Sequence, residues 1–398
     1  MKTYRLKELL TIKNGRDHKD LGDGPYPVVG SGGIMRYADS YLYDRPSILL
    51  PRKGSLSNIQ YFEDPFWTVD TLYYTEVNEN LCDSYYLYCY LTLLDLSNLN
   101  TGTGVPSMTF DSYYNIKVTL PSLESQKEKA KLMKDINNKI HFNEQINRNL
   151  EAMAKRLYDY WFVQFDFPDE NGRPYKTSGG KMVWNETLKR DIPDGWEVKE
   201  LGEIAEVLNG ATPSTNDSSN YGSDIVWVTP KDLSVQKDKF VYYSERGISF
   251  KGFNSCSTHI LPKGSLLMSS RAPIGLLAIS LIEVCTNQGF KNMVPNEKSD
   301  NYFLYYYLQE HMMQIQQLGS GTTFAEISKE TLSRFPILYM SDRCLYKKWH
   351  NIIDAIFEKQ SIVSKEIHKL ENFRDKLLPL LMNGQVSIRR LNSDLSAH

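Results

Sequence analysis

Compared with itself, the 398-residue sequence runs through one pattern twice, and that duplication limits the fold more than any local motif. Tyr4-Arg5-Leu6-Lys7-Glu8-Leu9 is matched by Trp196-Glu197-Val198-Lys199-Glu200-Leu201, each followed by an isoleucine (Ile12, Ile204) and an Asn-Gly pair (Asn14-Gly15, Asn209-Gly210). Ile48-Leu49-Leu50 runs into Arg52-Lys53-Gly54 as Ser265-Leu266-Leu267 runs into Ser269-Ser270-Arg271. Gly102-Thr103-Gly104 and Gly319-Ser320-Gly321 then precede the β-like stretches 115–120 and 333–338. The offset between partners drifts from 192 to about 219, as it would if two copies of one fold differed in their loops.

Both halves then turn helical. Ser122 and Ser341 are suited to N-capping, and behind each runs a stripe with alternating steps of three and four residues. The first is Met133, Ile136, Ile140, Asn143, Asn147, Leu150, Ala154, Leu157 and Trp161; the second is Trp349, Ile353, Ile356, Gln360, Val363, Ile367, Leu370, Arg374, Leu377 and Leu381. That period marks a coiled-coil seam, whose polar members set register at some cost in stability. Two separate amphipathic helices, each lying on its own domain, are the alternative. A 29-residue stripe would span about 43 Å, of the order of one turn of B-DNA. Pro379 removes a backbone donor and predicts a kink before Asn383-Gly384 ends the second helix.

The expected organisation is therefore a module at 1–121, a helix at 122–161, a turn-rich connector at 162–195, a second module at 196–340, a second helix at 341–384 and a tail at 385–398. The modules read as α/β (α+β) domains, with strands near 47–51, 66–75, 225–228 and 276–284 and helices near 83–94 and 302–317. With 41% apolar and 24% charged residues the chain has the make-up of an ordinary globular protein. Met1–Gly15 holds no apolar core of a secretory signal and the longest apolar run, Ile274–Ile282, is too short to span a bilayer, so a cytoplasmic protein with no membrane partner is expected. Cys82, Cys89, Cys256, Cys285 and Cys344 include no C-x-x-C pair and are expected to be reduced core residues.

Catalytic constellations are missing. There is no P-loop, no H-E-x-x-H, no Pro-Pro dipeptide of an amino-methyltransferase loop, and the seven histidines are scattered. Pro193-Asp194 with Glu197 and Lys199 spells the elements of a metal-dependent nuclease, but two residues leave little room for the strands that present such groups, and the other repeat sets Arg5 against Glu197.

What remains is binding chemistry in loops. Arg52 and Lys53 in one module and Ser269, Ser270 and Arg271 in the other follow an apolar strand. Arginine can pair bidentately with guanine, and Asn or Gln with adenine, which draws in Asn58, Gln60, Asn287 and Gln288. Ser31, Gly32, Thr103, Lys231 and Ser320 could approach phosphates, and Lys291 is a further DNA-binding candidate. The net charge of −2 gives no support by itself to a nucleic-acid partner, but residues 1–60 hold ten basic against six acidic residues and 61–121 one against eight.

The segments Tyr26-Pro27-Val28-Val29-Gly30-Ser31-Gly32-Gly33, Pro65-Phe66-Trp67-Thr68-Val69-Asp70-Thr71, Leu157 to Pro168, Gly179 to Trp184, Ser270-Arg271-Ala272-Pro273-Ile274-Gly275 and Leu378 to Val386 make the chain, over nearly its whole length, resemble the specificity subunit of a type I restriction-modification system. The resemblance implies two similar target recognition domains joined by two long helices in an antiparallel coiled coil, with a pseudo-twofold repeat. It implies a non-catalytic chain in which each domain reads half of a bipartite, asymmetric site on double-stranded DNA. Two methyltransferase subunits would bring S-adenosylmethionine and adenine-N6 methylation, and restriction subunits ATP, Mg and cleavage, so this chain itself would hold no cofactor and no metal. Two other readings stay open: a nuclease built on Glu197 and Lys199, and a coiled-coil scaffold that never touches DNA.

Overall fold

The computed structural model describes residues 1–99, 106–236, 238–319, 326–340 and 343–386. The chain falls into two compact units, residues 1–143 with 366–398, and residues 144–365. The expected boundaries set the long helices apart from the modules; here each unit takes part of both helices.

The first unit opens with β1 (Lys2–Arg5), α1 (Leu6–Leu9) and β2 (Leu10–Asn14). There follow β3 (Tyr26–Gly30), β4 (Gly33–Ala38), β5 (Ser47–Pro51), β6 (Gln60–Phe62), β7 (Trp67–Thr68) and β8 (Leu72–Val77). Then come α2 (Ser84–Thr92), α3 (Phe110–Tyr114), β9 (Lys117–Leu120) and α4 (Leu123–Tyr158). One sheet has the order β2-β8-β5-β6, a second β4-β3-β7, and β1 pairs with β9. The uninterrupted apolar run of β5 is buried throughout, as a central strand requires. Asp83 caps α2 by accepting from Tyr86 N at 2.9 Å.

The second unit repeats this plan. Its strands are β10 (Met182–Asn185), β11 (Arg190–Pro193), β12 (Trp196–Glu200), β13 (Ala205–Asn209), β14 (Tyr221–Val228), β15 (Phe240–Val241), β16 (Gly247–Ile248), β17 (Leu266–Ser269), β18 (Leu277–Ser280), β19 (Cys285–Thr286), β20 (Phe290–Pro295) and β21 (Pro336–Met340). Its helices are α5 (Leu201–Ile204), α6 (Pro230–Val235), α7 (Phe250–Asn254), α8 (Asn301–Glu310), α9 (Met312–Gln317) and α10 (Lys329–Ser333), before α11 (Cys344–Met382). The sheets run β13-β20-β17-β18-β15 and β16-β14-β19, with β12 on β21. In both units one parallel pair joins matching strands, β3 to β7 through Val29↔Thr68 and β14 to β19 through Val228↔Thr286.

The pairing registers correct the sequence alignment of the repeat. Asn14 pairs with Tyr73 and Asn209 with Lys291. Arg5 N donates to Glu8 at 2.6 Å and Glu200 N to Glu203 at 2.8 Å, so Arg5 corresponds to Glu200, not to Glu197. Lys2 is the partner of Glu197. The slip is three residues, close to one helical turn, so the apolar pattern around the short helices matches almost as well in the wrong register.

Each stripe residue assigned to the seam is buried or half-buried. In the first unit Met133, Ile136 and Ile140 of α4 share a core with Ile367, Leu370, Leu377 and Leu381 of α11, and Lys129 Nζ donates to Leu381 O at 2.6 Å. In the second unit Asn147 Nδ2 donates to Ser364 Oγ at 2.9 Å, and Gln360 Nε2 to Asn147 O at 3.3 Å and to Glu151 Oε2 at 3.1 Å. In the first unit early α4 meets late α11, in the second later α4 meets earlier α11, and partners on α11 fall in residue number as those on α4 rise, so the helices are packed together antiparallel. Ala154, Leu157, Ile353 and Ile356 belong to or pack on the second unit's core, while Asn143 and Val363 are buried and Leu150 is half-buried. Ser122 Oγ accepts from Ser125 N at 3.4 Å at the start of α4; Ser341 lies outside the described residues. Past Pro379 the second helix continues to Met382. It closes with Gly384 N on Leu381 O, Gln385 N on Leu380 O and Gly384 at φ +72°, a Schellman ending.

The expected connector is packed, not merely turn-rich. Phe162, Phe165, Phe167 and Ile192 are buried with Trp196 and Trp349, and β10 pairs with β11. Likewise Cys82, Cys89 and Cys285 are buried, but Cys256 is half-buried and Cys344 exposed at the start of α11, so two of the five cysteines are not core residues.

Candidate nucleic-acid interface

Two cationic strand ends stand at matching places. In the first unit β5 ends at Pro51 and delivers Arg52 and Lys53. Arg52 N donates to Thr71 O at 2.9 Å, Met108 N to Arg52 O at 3.0 Å, and Lys53 forms an antiparallel bridge with Ser107. In the second, β17 ends at Ser269 and delivers Ser270 and Arg271. Ser270 N donates to Gly289 O at 2.8 Å, Ile327 N to Ser270 O at 3.1 Å, and Arg271 bridges antiparallel to Glu326. A buried Met108 or Ile327 follows each bridge, then a short helix capped by Thr109 (α3) or Ser328 (α10). By hydrogen-bond register, Lys53 corresponds to Arg271.

Around the first strand end, Lys53 is exposed and the Arg52 guanidinium lies 5.9 Å from the centre of the Tyr73 ring, with Nη1 at 3.4 Å from Asp70 O. The β3–β4 hairpin sits beside it. Asn58 donates to Ser31 O, Gln60 to Gly30 O at 3.1 Å, and Ser31 N to Thr71 Oγ1 at 3.3 Å. The side chains of Asn58 and Gln60 are thus engaged with backbone carbonyls and hold the hairpin. Gly33 at φ +113° makes the turn, and Gly32 has open space where a Cβ would stand. A cleft of about 800 Å³ lies along it, lined among others by Lys19, Ser31, Ile34 and Asp70.

Around the second strand end, Ser269 and Ser270 face inward. Both are fully buried; Ser269 Oγ donates to Pro273 O at 2.6 Å and accepts from Leu276 N at 2.9 Å, and Ser270 Oγ donates to Gly289 O at 3.2 Å. They close the turn that aims Arg271 outward. Asn287 Oδ1 accepts from Gly289 N at 2.9 Å, the exposed Gln288 accepts from Thr212, and the exposed Lys231 lies 2.7 Å from Glu245. Lys291 is buried, 3.1 Å from Glu326 Oε1, while Glu326 Oε2 lies 3.0 Å from Arg271 Nε. Burial would raise the Glu326 carboxyl, but hydrogen bonds from Lys291 and Arg271 outweigh it and hold the acid below its ordinary range. Glu326 escaped the sequence reading because a search for cations and amides passes over an acid; its register partner, Ser107, gives no hint of it. Thr103 and Ser320 lie outside the described residues.

The nuclease elements form two separate ion pairs, Lys181 with Asp194 at 2.9 Å and Lys199 with Glu197 at 3.1 Å. Among the described residues no group of three His, Cys, Asp or Glu side chains could hold a metal ion, and no helix is long and apolar enough to cross a membrane.

Known proteins share this plan. Over 167 residues the chain is 39% identical to the type I restriction enzyme MjaIX specificity subunit of Methanocaldococcus jannaschii, covering 40% of this chain and 39% of that one. It is 27% identical over 330 residues to the HindI specificity subunit of Haemophilus influenzae, covering 71% of each. The crystal structure of a type I restriction-modification S subunit from M. genitalium has the same fold, with a TM-score of 0.66 over 96% of this chain and 95% of that one at 14% identity. The family model described as the type I restriction modification DNA specificity domain matches residues 1–152 and 193–339, both copies of the repeat, and the chain belongs to that family, the non-catalytic specificity component of type I restriction-modification enzymes.

Proposed function

We propose that the two modules of this DNA specificity subunit each read one half of a bipartite, asymmetric site on double-stranded DNA, with the shared helices setting the gap between the halves. The observation that carries this is the matched pair of strand ends, where Lys53 bridges Ser107 and Arg271 bridges Glu326 in one hydrogen-bond register on two copies of one fold. Identical scaffolds with unlike side chains at the presenting position suit two unlike half-sites. Within the candidate set, Lys53 and Arg271 reach toward bases, Arg52, Lys231, Ser31 and Gly32 supply backbone-directed contacts, and Asn58, Gln60, Ser269 and Ser270 shape the loops.

Two methyltransferase subunits dock on the outer faces of the helices. Phe142, Ile146 and Met153 of α4 and Phe373 and Leu380 of α11 are exposed at near-heptad spacing away from the seam. Those partners bring S-adenosylmethionine, and restriction subunits bring ATP and Mg. Co-expression with the candidate methyltransferase, followed by genome-wide mapping of methylated adenines, tests the reading. Two short specified elements separated by a fixed unspecified gap are expected; one continuous motif, or methylation without sequence preference, would overturn it.

A further inference from the structure

The second module carries a charge cluster that the first lacks. Arg271 is exposed, and its Nε donates to Glu326 Oε2 at 3.0 Å. The other carboxylate oxygen receives Lys291 Nζ at 3.1 Å, and the Lys291 side chain is only 7% exposed. The corresponding residues of the first module are Lys53, Ser107 and Tyr73, so no carboxylate stands there.

Backbone pairing holds the cluster from both Glu326 and Lys291. Glu326 is fixed by its bridge to Arg271, by Ile327 N on Ser270 O, and by the fully buried Ile327 beside it. Lys291 sits in β20, paired with Met268 of the central strand β17. A guanidinium held through Nε is restrained along its stem, while its Nη1 and Nη2 edge makes no hydrogen bond among the described residues. That edge is a planar fork, the geometry that meets guanine O6 and N7 together. The buried Lys291 ammonium offsets the carboxylate, so Glu326 grips the arginine while the triad keeps a net positive charge toward a polyanion. Binding then loses less side-chain entropy than it would with a free arginine.

We infer that Glu326 is a positioning residue that sets Arg271 as a rigid reader of one guanine, with Lys291 as its buried counter-charge. This rests on the half-site reading proposed above. The test uses the full chain co-expressed with its methyltransferase, comparing methylation motifs of the unaltered chain, Arg271→Ala, Glu326→Gln and the double variant.

Arg271→Ala and Glu326→Gln should relax the same single guanine position of one half-site and leave the other half-site unchanged. Discrimination at that position should fall by about 5- to 150-fold for Arg271→Ala and by less for Glu326→Gln, which keeps one acceptor. Adding Glu326→Gln to Arg271→Ala should change nothing more. A motif untouched by Glu326→Gln, relaxation at a different position, or additive losses in the double variant would overturn the inference. An even drop in methylation across all sequences would mark Arg271 as a phosphate contact, which removes the inference and leaves the half-site reading standing; an unaltered chain that gives no bipartite motif removes both. Thermal unfolding is followed alongside, and if Glu326→Gln unfolds, Glu326→Asp, which keeps the charge and shortens the reach, is judged by the same outcomes.

Discussion

The Lys239 ammonium lies 3.5 Å from the centre of the Phe357 ring, bringing a charge from the second recognition module inside the aromatic core around α11. It donates to Glu151 of α4 and, at 3.1 Å, to Tyr306 Oη; Tyr306 in turn donates to Glu151 at 3.1 Å. Burial pulls the lysine down to about 8, a fall that the nearby Glu151 only partly offsets. The folded chain therefore releases this proton before the unfolded chain does, so stability should rise with pH from about 8 toward 10.5. Lys239→Met should remove that rise, worth at most about 3 kcal/mol. Thermal melts of both proteins between pH 7 and 9.5 measure the difference, and parallel pH profiles would contradict it.

Leu377 fills the first unit's helix seam beside Leu381 and the α4 residues Met133, Ile136 and Ile140. Leu377→Ala should lower stability by about 2–5 kcal/mol through lost burial and the cavity left behind. Denaturant unfolding reads this directly. A cost below about 1 kcal/mol would mean that the seam is loosely packed there.

Exchange of residues 1–121 for another recognition module should replace one half of the methylated motif and preserve the other. The cluster of Val29, Leu49, Phe66 and Leu72 lies wholly within this segment, which supports grafting at that boundary. Motif mapping of the hybrid provides the check; a change in both halves would show that the modules do not read independently.

Matched heptad insertions in α4 and α11 keep both seams in phase and lengthen the helices by about 10 Å each. The unspecified gap in the methylated motif should widen by about 3 base pairs. An unchanged gap, measured by the same mapping, would take the spacing role away from the helices.

Cys82, Cys89 and Cys285 should resist thiol reagents in the native protein at pH 8 and react once it is unfolded. Burial pushes their thiols up to about 12, about 12 and about 11, so almost no thiolate forms. Mass spectrometry after labelling with and without denaturant reads the outcome.

The duplicated plan and the seam were legible because both rest on apolar periodicity, which burial enforces along whole elements. The register of the first repeat was not, since a three-residue slip between Arg5 and Glu197 preserves the spacing of the leucines around it. Strand ends were found from the apolar runs before Arg52 and Arg271, but the direction of each side chain was not. Ser269 and Ser270 look like exposed donors in sequence and turn inward because Pro273 O, Leu276 N and Gly289 O need partners. Glu326 becomes visible only when a bridge between residues 55 positions apart brings it to Arg271.

The division of the long helices between the units bears on how the chain is made. Residues 144–365 form one uninterrupted stretch, so the second unit has all its parts as soon as that stretch leaves the ribosome. The first unit starts earlier and finishes later: Met133, Ile136 and Ile140 wait, with their apolar faces open, until Leu377 and Leu381 are translated. During that interval the nascent first module is the one exposed to chaperones and to aggregation, although it emerges first.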